Sequence, residues 1–283
     1  MMDRVETCYI CKSSAIKLYR EVDGFQVYKC RKCGLKWVNN NLKQVDSFYN
    51  KEYFKSNSKI GYRDYLCDEE NHRRNARDIL NIVNGIKDLN KLKILDVGCA
   101  FGFFLDEAKK IKHCDVYGVE LSSYAYEYVK NNLELHVLNS EISDSLFVPN
   151  FFDAVFMLGT IEHLRSPGET FSIINKVLKS NGILVITTID TAGLLPLYSI
   201  KPPEHLFYFN HHNLSSLLNS FGFRLLLRKT NLSHYYLHDL LYRLGKFFSL
   251  SFIALAAEII KKNKPAISIR IPTNEMILIA GKS

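Results

Sequence analysis

The sequence predicts an α/β protein, a parallel sheet flanked by helices and preceded by a small unit built around four cysteines. Three observations predict it. From Lys91 onward, short apolar runs alternate with helical patterns, as βαβ units do. The first of these runs ends in Asp96, and a small-residue turn with Gly98 and Gly102 follows and opens a helix. At the N-terminus, Cys8-x2-Cys11 and Cys30-x2-Cys33 have the spacing of two metal-binding knuckles. Composition agrees: 283 residues, 47% hydrophobic and 23% charged, are the balance of a globular chain and exclude disordered, collagen-like and coiled-coil classes.

Three regions differ in character. Residues 1–40 read as short strands and turns around the cysteines. Residues 41–90 read as a polar, aromatic, helical linker or lid, with Asp68–Ile86 its clearest helix. Residues 91–283 form the α/β domain. Its strands are placed at Lys93–Val97, Val116–Glu120, Glu134–Leu138, Phe152–Leu158, Ile183–Thr188, Phe223–Lys229 and Asn274–Ala280. Helices are placed at Gly102–Ile111, Tyr124–Asn131, Glu169–Leu178 and Leu214–Phe221, the last ending at Gly222 as helices often do. An apolar, helical insertion spans about 233–262. It reads as a lid or dimer face, with a surface for a lipid-linked substrate as the sharper alternative.

Lys plus Arg number 37 against 29 acids, a net charge of +8. This leaves room for a phosphorylated or nucleotide-linked partner, or RNA, without requiring one. The odd count of 7 cysteines, with no leader signature at Met1–Ile10, favours a reducing compartment, so a cytoplasmic protein is expected. The most apolar stretch, Phe247–Ile260, is interrupted by Glu258 and falls short of the roughly 20 residues of a spanning helix.

Each Cys-x-x-Cys turn points two thiolates at one ion. Cys8, Cys11, Cys30 and Cys33 together complete a tetrahedral site with no open position, which suits structural zinc. A redox pair would need one such turn on a βαβ scaffold, not two.

The glycine turn lets backbone approach a ligand closely. Nicotinamide-cofactor folds use a similar turn, but Gly-x-Gly-x-x-Gly is absent, and Asp96 would repel a diphosphate beside it. Glu120 ends the second strand, where an acid can accept both ribose hydroxyls of an adenosine cofactor.

Leu95-Asp96-Val97-Gly98-Cys99-Ala100-Phe101-Gly102-Phe103-Phe104-Leu105 followed by Gly118-Val119-Glu120-Leu121-Ser122 resembles the first two motifs of class I S-adenosylmethionine-dependent methyltransferases. Phe152–Phe156 through Ile161-Glu162-His163-Leu164 is similar to the fourth-strand motif of that family. Pro202-Pro203-Glu204-His205-Leu206-Phe207-Tyr208-Phe209 resembles a motif of a subgroup with an N-terminal zinc ribbon, found in surface-glycan and secondary-metabolite pathways. The resemblance runs from residue 8 to about 230, with Ala100 where the family has a glycine. It implies a Rossmann-like, doubly wound, seven-stranded sheet with the last strand antiparallel, S-adenosylmethionine as cofactor, and a methyl acceptor. Asp96, Gly98, Cys99, Ala100, Gly102 and Phe103 would line the methionine part of the cofactor. Glu120 would hold the ribose, and Leu121 would pack on adenine. Ser140 and Glu141 would lie at the adenine edge, and Leu158 and Gly159 would floor the pocket.

Methyl transfer is an in-line displacement from a sulfonium, so positioning and water exclusion dominate. Tyr62, Tyr65 and Phe101 could offer aromatic faces to the cation. A hydroxyl nucleophile also needs a base near neutral pKa. His205 is the first choice, with Glu204 to orient it, and His163 is the second. A metal-dependent subgroup carries Glu-x-x-Glu-His here. Gly159 replaces its first acid, so no catalytic metal is expected. The acceptor expected is a small molecule, a sugar or another surface-polysaccharide or metabolite precursor, nucleotide- or lipid-linked, with oxygen ahead of carbon or nitrogen. Stable membrane insertion is not expected, and a homodimer through 233–262 is. Two rivals stand: an RNA methyltransferase, against which the lack of a compact basic-aromatic patch and of an Asn-Pro-Pro-Tyr-like motif speaks, so that no nucleic acid is expected, and a non-catalytic module that keeps the cofactor or zinc.

Overall fold

The computed structural model describes residues 6–39, 51–54, 64–192, 200–247 and 267–283, with a few residues between 250 and 260. Tyr62 lies outside them. The central sheet has seven strands: β4 (Lys93–Val97), β5 (Asp115–Val119), β6 (His136–Leu138), β7 (Phe152–Leu158), β8 (Leu178–Ile189), β10 (Phe223–Tyr236) and β11 (Ser268–Lys282). Their order is β10-β11-β8-β7-β4-β5-β6. β4 pairs in parallel with β5 and β7, and β7 with β8. Only β11 is antiparallel to its neighbours, β8 and β10. The chain order reverses between β4 and β7, the point at which such sheets open a ligand crevice at the strands' carboxyl ends.

The sheet is buried on both faces, and strand alternation decides which side chain goes where. Ile94, Ala154, Phe156, Ile183 and Val185 point to one face, where Ala76, Ile79, Leu80 and Val83 of α2 (Glu69–Asn84) cover them. Those α2 positions recur at helical spacing. Leu95, Val155, Met157, Leu184 and Ile186 point to the other face, under Phe171 and Ile174 of α5 (Pro167–Val177) and Leu214, Leu217 and Leu218 of α6 (His211–Ser220). Burying such a side chain contributes about 1.5–3 kcal/mol.

The N-terminal unit is a second sheet, β1 (Ile16–Val22), β2 (Phe25–Cys30), β3 (Lys36–Val38) and β9 (Phe207–Tyr208). Asp23 and Gly24, both at positive φ, turn β1 into β2, as a two-residue hairpin requires. β9 comes from far along the chain and pairs with β3 through Lys36↔Tyr208 and Trp37↔Phe207.

One sequence expectation is corrected. Residues 233–236 are not helical: they continue β10, with Ser233↔Ile271 and Tyr236↔Ser268. Helix α7 (Leu237–Phe247) follows it. The cause is tertiary, because β11 extends back to Ser268 and offers ladder hydrogen bonds that no local pattern reveals.

Candidate functional site

The site is built at the carboxyl ends of β4 and β5. After β4 the chain turns at Gly98 (φ 77), and Gly98 and Cys99 donate N–H bonds to Val119 O at 2.9 and 3.1 Å. A Cβ on Gly98 would stand 2.7 Å from Thr160 Cγ2, so the turn has no room for a side chain. Ala100 follows at φ 46, a left-handed conformation that costs a non-glycine residue free energy. Its N–H is directed at Glu120 Oε2, 2.8 Å away, while Ser122 N–H donates to Oε1 at 2.7 Å. The Glu120 carboxylate therefore holds the two loops together and is itself fixed.

Asp96 and Glu120 are both buried. Among the described residues Asp96 Oδ1 has no hydrogen-bond partner. Burial, with the charge of Glu120 adding, raises the Asp96 carboxyl to about 8. Burial also raises Glu120, against the pull of the Ser122, Ala100 and Leu121 N–H groups. An orphaned buried acid beside a fixed second one is a site shaped for a cationic, hydroxyl-bearing ligand.

Tyr65, Asp96, Gly98, Cys99, Ala100, Phe103, Glu120, Leu121, Ser140, Glu141, Leu158 and Gly159 all line one cavity of about 510 Å³, within the range of small-molecule sites. Gly102 is not among the lining residues. It opens α3 (Phe103–Lys112) at φ 73, and a Cβ there would stand 3.1 Å from Val129 Cγ2, so it serves close packing. Phe101 is buried in an aromatic cluster with Phe103 and Tyr65. Tyr65 stacks on His72 with ring centroids 3.9 Å apart, and burial lowers His72 to about 4, which keeps the imidazole neutral.

The structure separates the two histidines. His163 lines the cavity; His205 and Glu204 are buried and do not. His163 Nδ1 lies 2.7 Å from Glu204 O. A carbonyl only accepts, so Nδ1 carries a proton in this contact. His205 packs edge-on against His163 at 4.8 Å between centroids. Burial, with His163 and Lys201 adding, pushes His205 well below its ordinary value. Tyr53, a cavity residue, donates its hydroxyl to Glu204 Oε1 at 3.3 Å. Glu162, His163 and His205 bring potential ligand atoms within 4.8 Å of one another, although Glu162 Oε2 already accepts from Thr188 Oγ1 at 2.9 Å.

The four cysteines converge as their spacing predicts. Their sulfurs lie within 4.8 Å of one another, with Cys8–Cys33 at 3.6 Å and Cys11–Cys30 at 3.5 Å. Thiolates on a tetrahedron about a metal 2.3 Å away would be about 3.8 Å apart. Burial raises Cys8 to about 11, whereas at Cys30 the N–H groups of Cys33 and Lys32 outweigh burial and bring the thiol to about 7.

Sequence reasoning missed the far wall: Asn71, Asn231, Ser233 and Glu275. They carry no motif, and only the pairing of β10 with β11 and the packing of α2 bring them to the cavity.

Residues 67–227 match a family described as "Methyltransferase domain". The chain is 27% identical over 214 residues to the ubiquinone biosynthesis O-methyltransferase of Rickettsia typhi, spanning 71% of this chain and 87% of that protein. It is 30% identical over 139 residues to the tRNA U34 carboxymethyltransferase of Desulfotalea psychrophila, spanning 46% and 42%. In structure it resembles the magnesium protoporphyrin IX methyltransferase of Synechocystis PCC 6803 with bound SAH, at a TM-score of 0.52 and 12% identity, covering 84% of this chain and 98% of that one. That likeness is one of fold.

Proposed function

The chain belongs to the methyltransferase-domain family and is a class I S-adenosylmethionine-dependent methyltransferase, and from that premise we propose that it methylates an oxygen of a small hydroxylated acceptor, a sugar or another precursor of carbohydrate or secondary-metabolite biosynthesis. The observation that carries the cofactor reading is the pair of buried acids at the ends of two adjacent parallel strands, Asp96 and Glu120, around a turn too tight for a side chain. The Rickettsia typhi relative, an O-methyltransferase by name, supports oxygen as the acceptor atom.

Bound S-adenosylmethionine supplies an electrophilic methyl group on a sulfonium. The residues divide the remaining work. Glu120 has both oxygens oriented by backbone N–H groups and keeps lone pairs for the ribose hydroxyls. Asp96 offers Oδ1 to the amino-acid end. Leu121, Ser140 and Glu141 border adenine; Leu158 and Gly159 form the floor. The Tyr65–His72 stack closes one side against water. His163 Nε2 takes the acceptor hydroxyl proton, and Glu204 and His205 position that ring. The four cysteines would hold a structural zinc, closed to substrate.

Calorimetric titration with S-adenosylhomocysteine tests the cofactor half. Saturable binding at one site per chain is expected, and binding of a nicotinamide dinucleotide instead would overturn it. Among the described residues, no helix is long and apolar enough to cross a membrane. We place the protein in the cytoplasm, with the exposed Phe252, Leu255 and Ile259 on a contact face for a second copy or for a lipid-linked acceptor.

A further inference from the structure

The part of the cavity wall contributed by β10, β11 and α2 is polar and irregular. Between β10 and β11 the register jumps from Thr230↔Met276 to Leu232↔Pro272, and Asn274 sits at φ 56 inside the irregularity. Bulges of this kind re-aim side chains. Here Asn231 and Glu275 leave the β10–β11 ladder, and both line the cavity. Glu275 Oε2 accepts from Asn231 Nδ2 at 2.8 Å and from Ser233 Oγ at 3.1 Å. Asn231 and Ser233 are both 4% exposed, so the carboxylate is held from behind by two buried donors. Among the described residues nothing holds Oε1. From α2, Asn71 Oδ1 accepts from Ser268 Oγ at 2.6 Å. Its Nδ2 is buried and has no partner among the described residues.

We infer that this wall is the acceptor subsite, with Glu275 accepting a hydrogen bond from a hydroxyl of a neutral, polyhydroxylated acceptor and Asn71 donating to another of its oxygens. The inference rests on the methyltransferase reading and adds the chemistry of the acceptor end. Charge excludes the first alternative. Asp68, Glu120, Glu141, Glu169 and Glu275 line the cavity against Arg165 as the one Lys or Arg among its described lining residues, so a phosphate or carboxylate at the reacting end meets repulsion in a chain whose net charge is +8. Hydrogen-bond inventory excludes the second. An ammonium donates to Glu275 but accepts nothing, which leaves Asn71 Nδ2 unsatisfied; a hydroxyl does both. A flat aromatic ring would strand the polar groups of the wall. Any phosphate of a nucleotide-linked acceptor therefore stays outside the cavity.

The test uses protein saturated with S-adenosylhomocysteine and an NMR titration with methyl glucoside, glucose 6-phosphate and catechol. The neutral glycoside is expected to bind most tightly, and Glu275→Gln, which preserves shape but presents a donor in place of the accepting carboxylate, is expected to weaken it at least tenfold. Ser233→Ala, which removes one of the two donors behind Glu275, is expected to weaken it about threefold. Both variants should bind S-adenosylhomocysteine within twofold of wild type. Equal or tighter binding of glucose 6-phosphate or catechol, or glycoside affinity unmoved by both substitutions, overturns the inference. Absence of S-adenosylhomocysteine binding in wild type would instead overturn the cofactor reading, and the glycoside titration on cofactor-free protein would still judge the wall.

Discussion

Glu120→Gln isolates the residue on which the cofactor reading turns. The carboxylate accepts from Ala100 N–H at 2.8 Å and from Ser122 N–H at 2.7 Å. An amide of the same shape keeps one of these bonds and sets an N–H against the other. In the complex the same amide cannot accept from both ribose hydroxyls, and the bond lost there is to an ionised acceptor, worth about 1.5–3 kcal/mol. At 1.4 kcal/mol per factor of ten, affinity for S-adenosylhomocysteine should fall by about 10- to 150-fold. Glu120→Ala is harsher, because it leaves both N–H groups without their partner at about 1–3 kcal/mol each. A domain of this size loses about 2–4 °C of Tm per kcal/mol, so the alanine protein should melt several degrees lower and bind no measurable cofactor. Calorimetry and differential scanning read the two effects separately. A glutamine protein that binds S-adenosylhomocysteine within twofold of wild type would refute the reasoning.

Asp96, raised to about 8 by burial and by Glu120, is protonated in the free protein at neutral pH, a state the unfolded chain reaches only near 4. Its contribution to stability is therefore present in acid and lost as pH rises through about 8, while a cationic ligand favours the carboxylate. Affinity for S-adenosylmethionine should climb between pH 6 and 8, with proton release in calorimetry; a flat profile counts against Asp96 facing the cation. His163→Ala should lower kcat by about 10²- to 10⁴-fold with cofactor affinity intact, whereas full turnover would remove it as the base. Gly98→Ala places a methyl 2.7 Å from Thr160 at positive φ and should cost about 1–3 kcal/mol together with cofactor binding; a soluble variant with wild-type Tm would contradict the turn's role.

The elements legible in the sequence are those whose signal is local. β4 and β7 fall at the residues expected, Lys93–Val97 and Phe152–Leu158, because a strand buried on both faces is a continuous apolar run closed by a turn. Glu120 was legible because strand, turn and acid follow one another in a short βαβ unit. β9 was not, since its two residues become a strand only against β3, far away in sequence. Glu275 was invisible for the same reason. The histidines show a second limit. His205 has the more suggestive neighbours in sequence, but burial and the edge contact decide that His163, not His205, meets the cavity.

The same long-range stitching makes the four-cysteine unit part of the site rather than an appendage. Val38 N–H donates to Leu206 O, and Leu206 N–H donates to Glu162 O, one residue from His163. Cys33 O accepts from Asn213 Nδ2 at 3.3 Å, and Asn210 and Asn213 form the capping box of α6. Tyr9, between two of the cysteines, accepts at its hydroxyl from Gly168 N–H at 2.9 Å, next to the cavity residues Ser166 and Glu169. Cys8, Cys30, Leu35 and Trp37 share one buried cluster with Val155 and Phe171. None of these hydrogen bonds is made to Asp96 or Glu120, whose neighbours Leu95, Val97 and Val119 share only the apolar cluster. Removing the zinc proposed for the thiols should therefore loosen the seat of His163 and leave the cofactor half standing. After chelation, or in Cys11→Ser, kcat should drop at least tenfold and amide exchange at Leu206 and Phe207 should accelerate, while the Kd for S-adenosylhomocysteine stays within about threefold. If the metal-free protein keeps both its kcat and its slow exchange at those amides, the unit does not support the catalytic wall. If cofactor affinity collapses along with kcat, the unit supports the whole cavity and the division between its two halves fails.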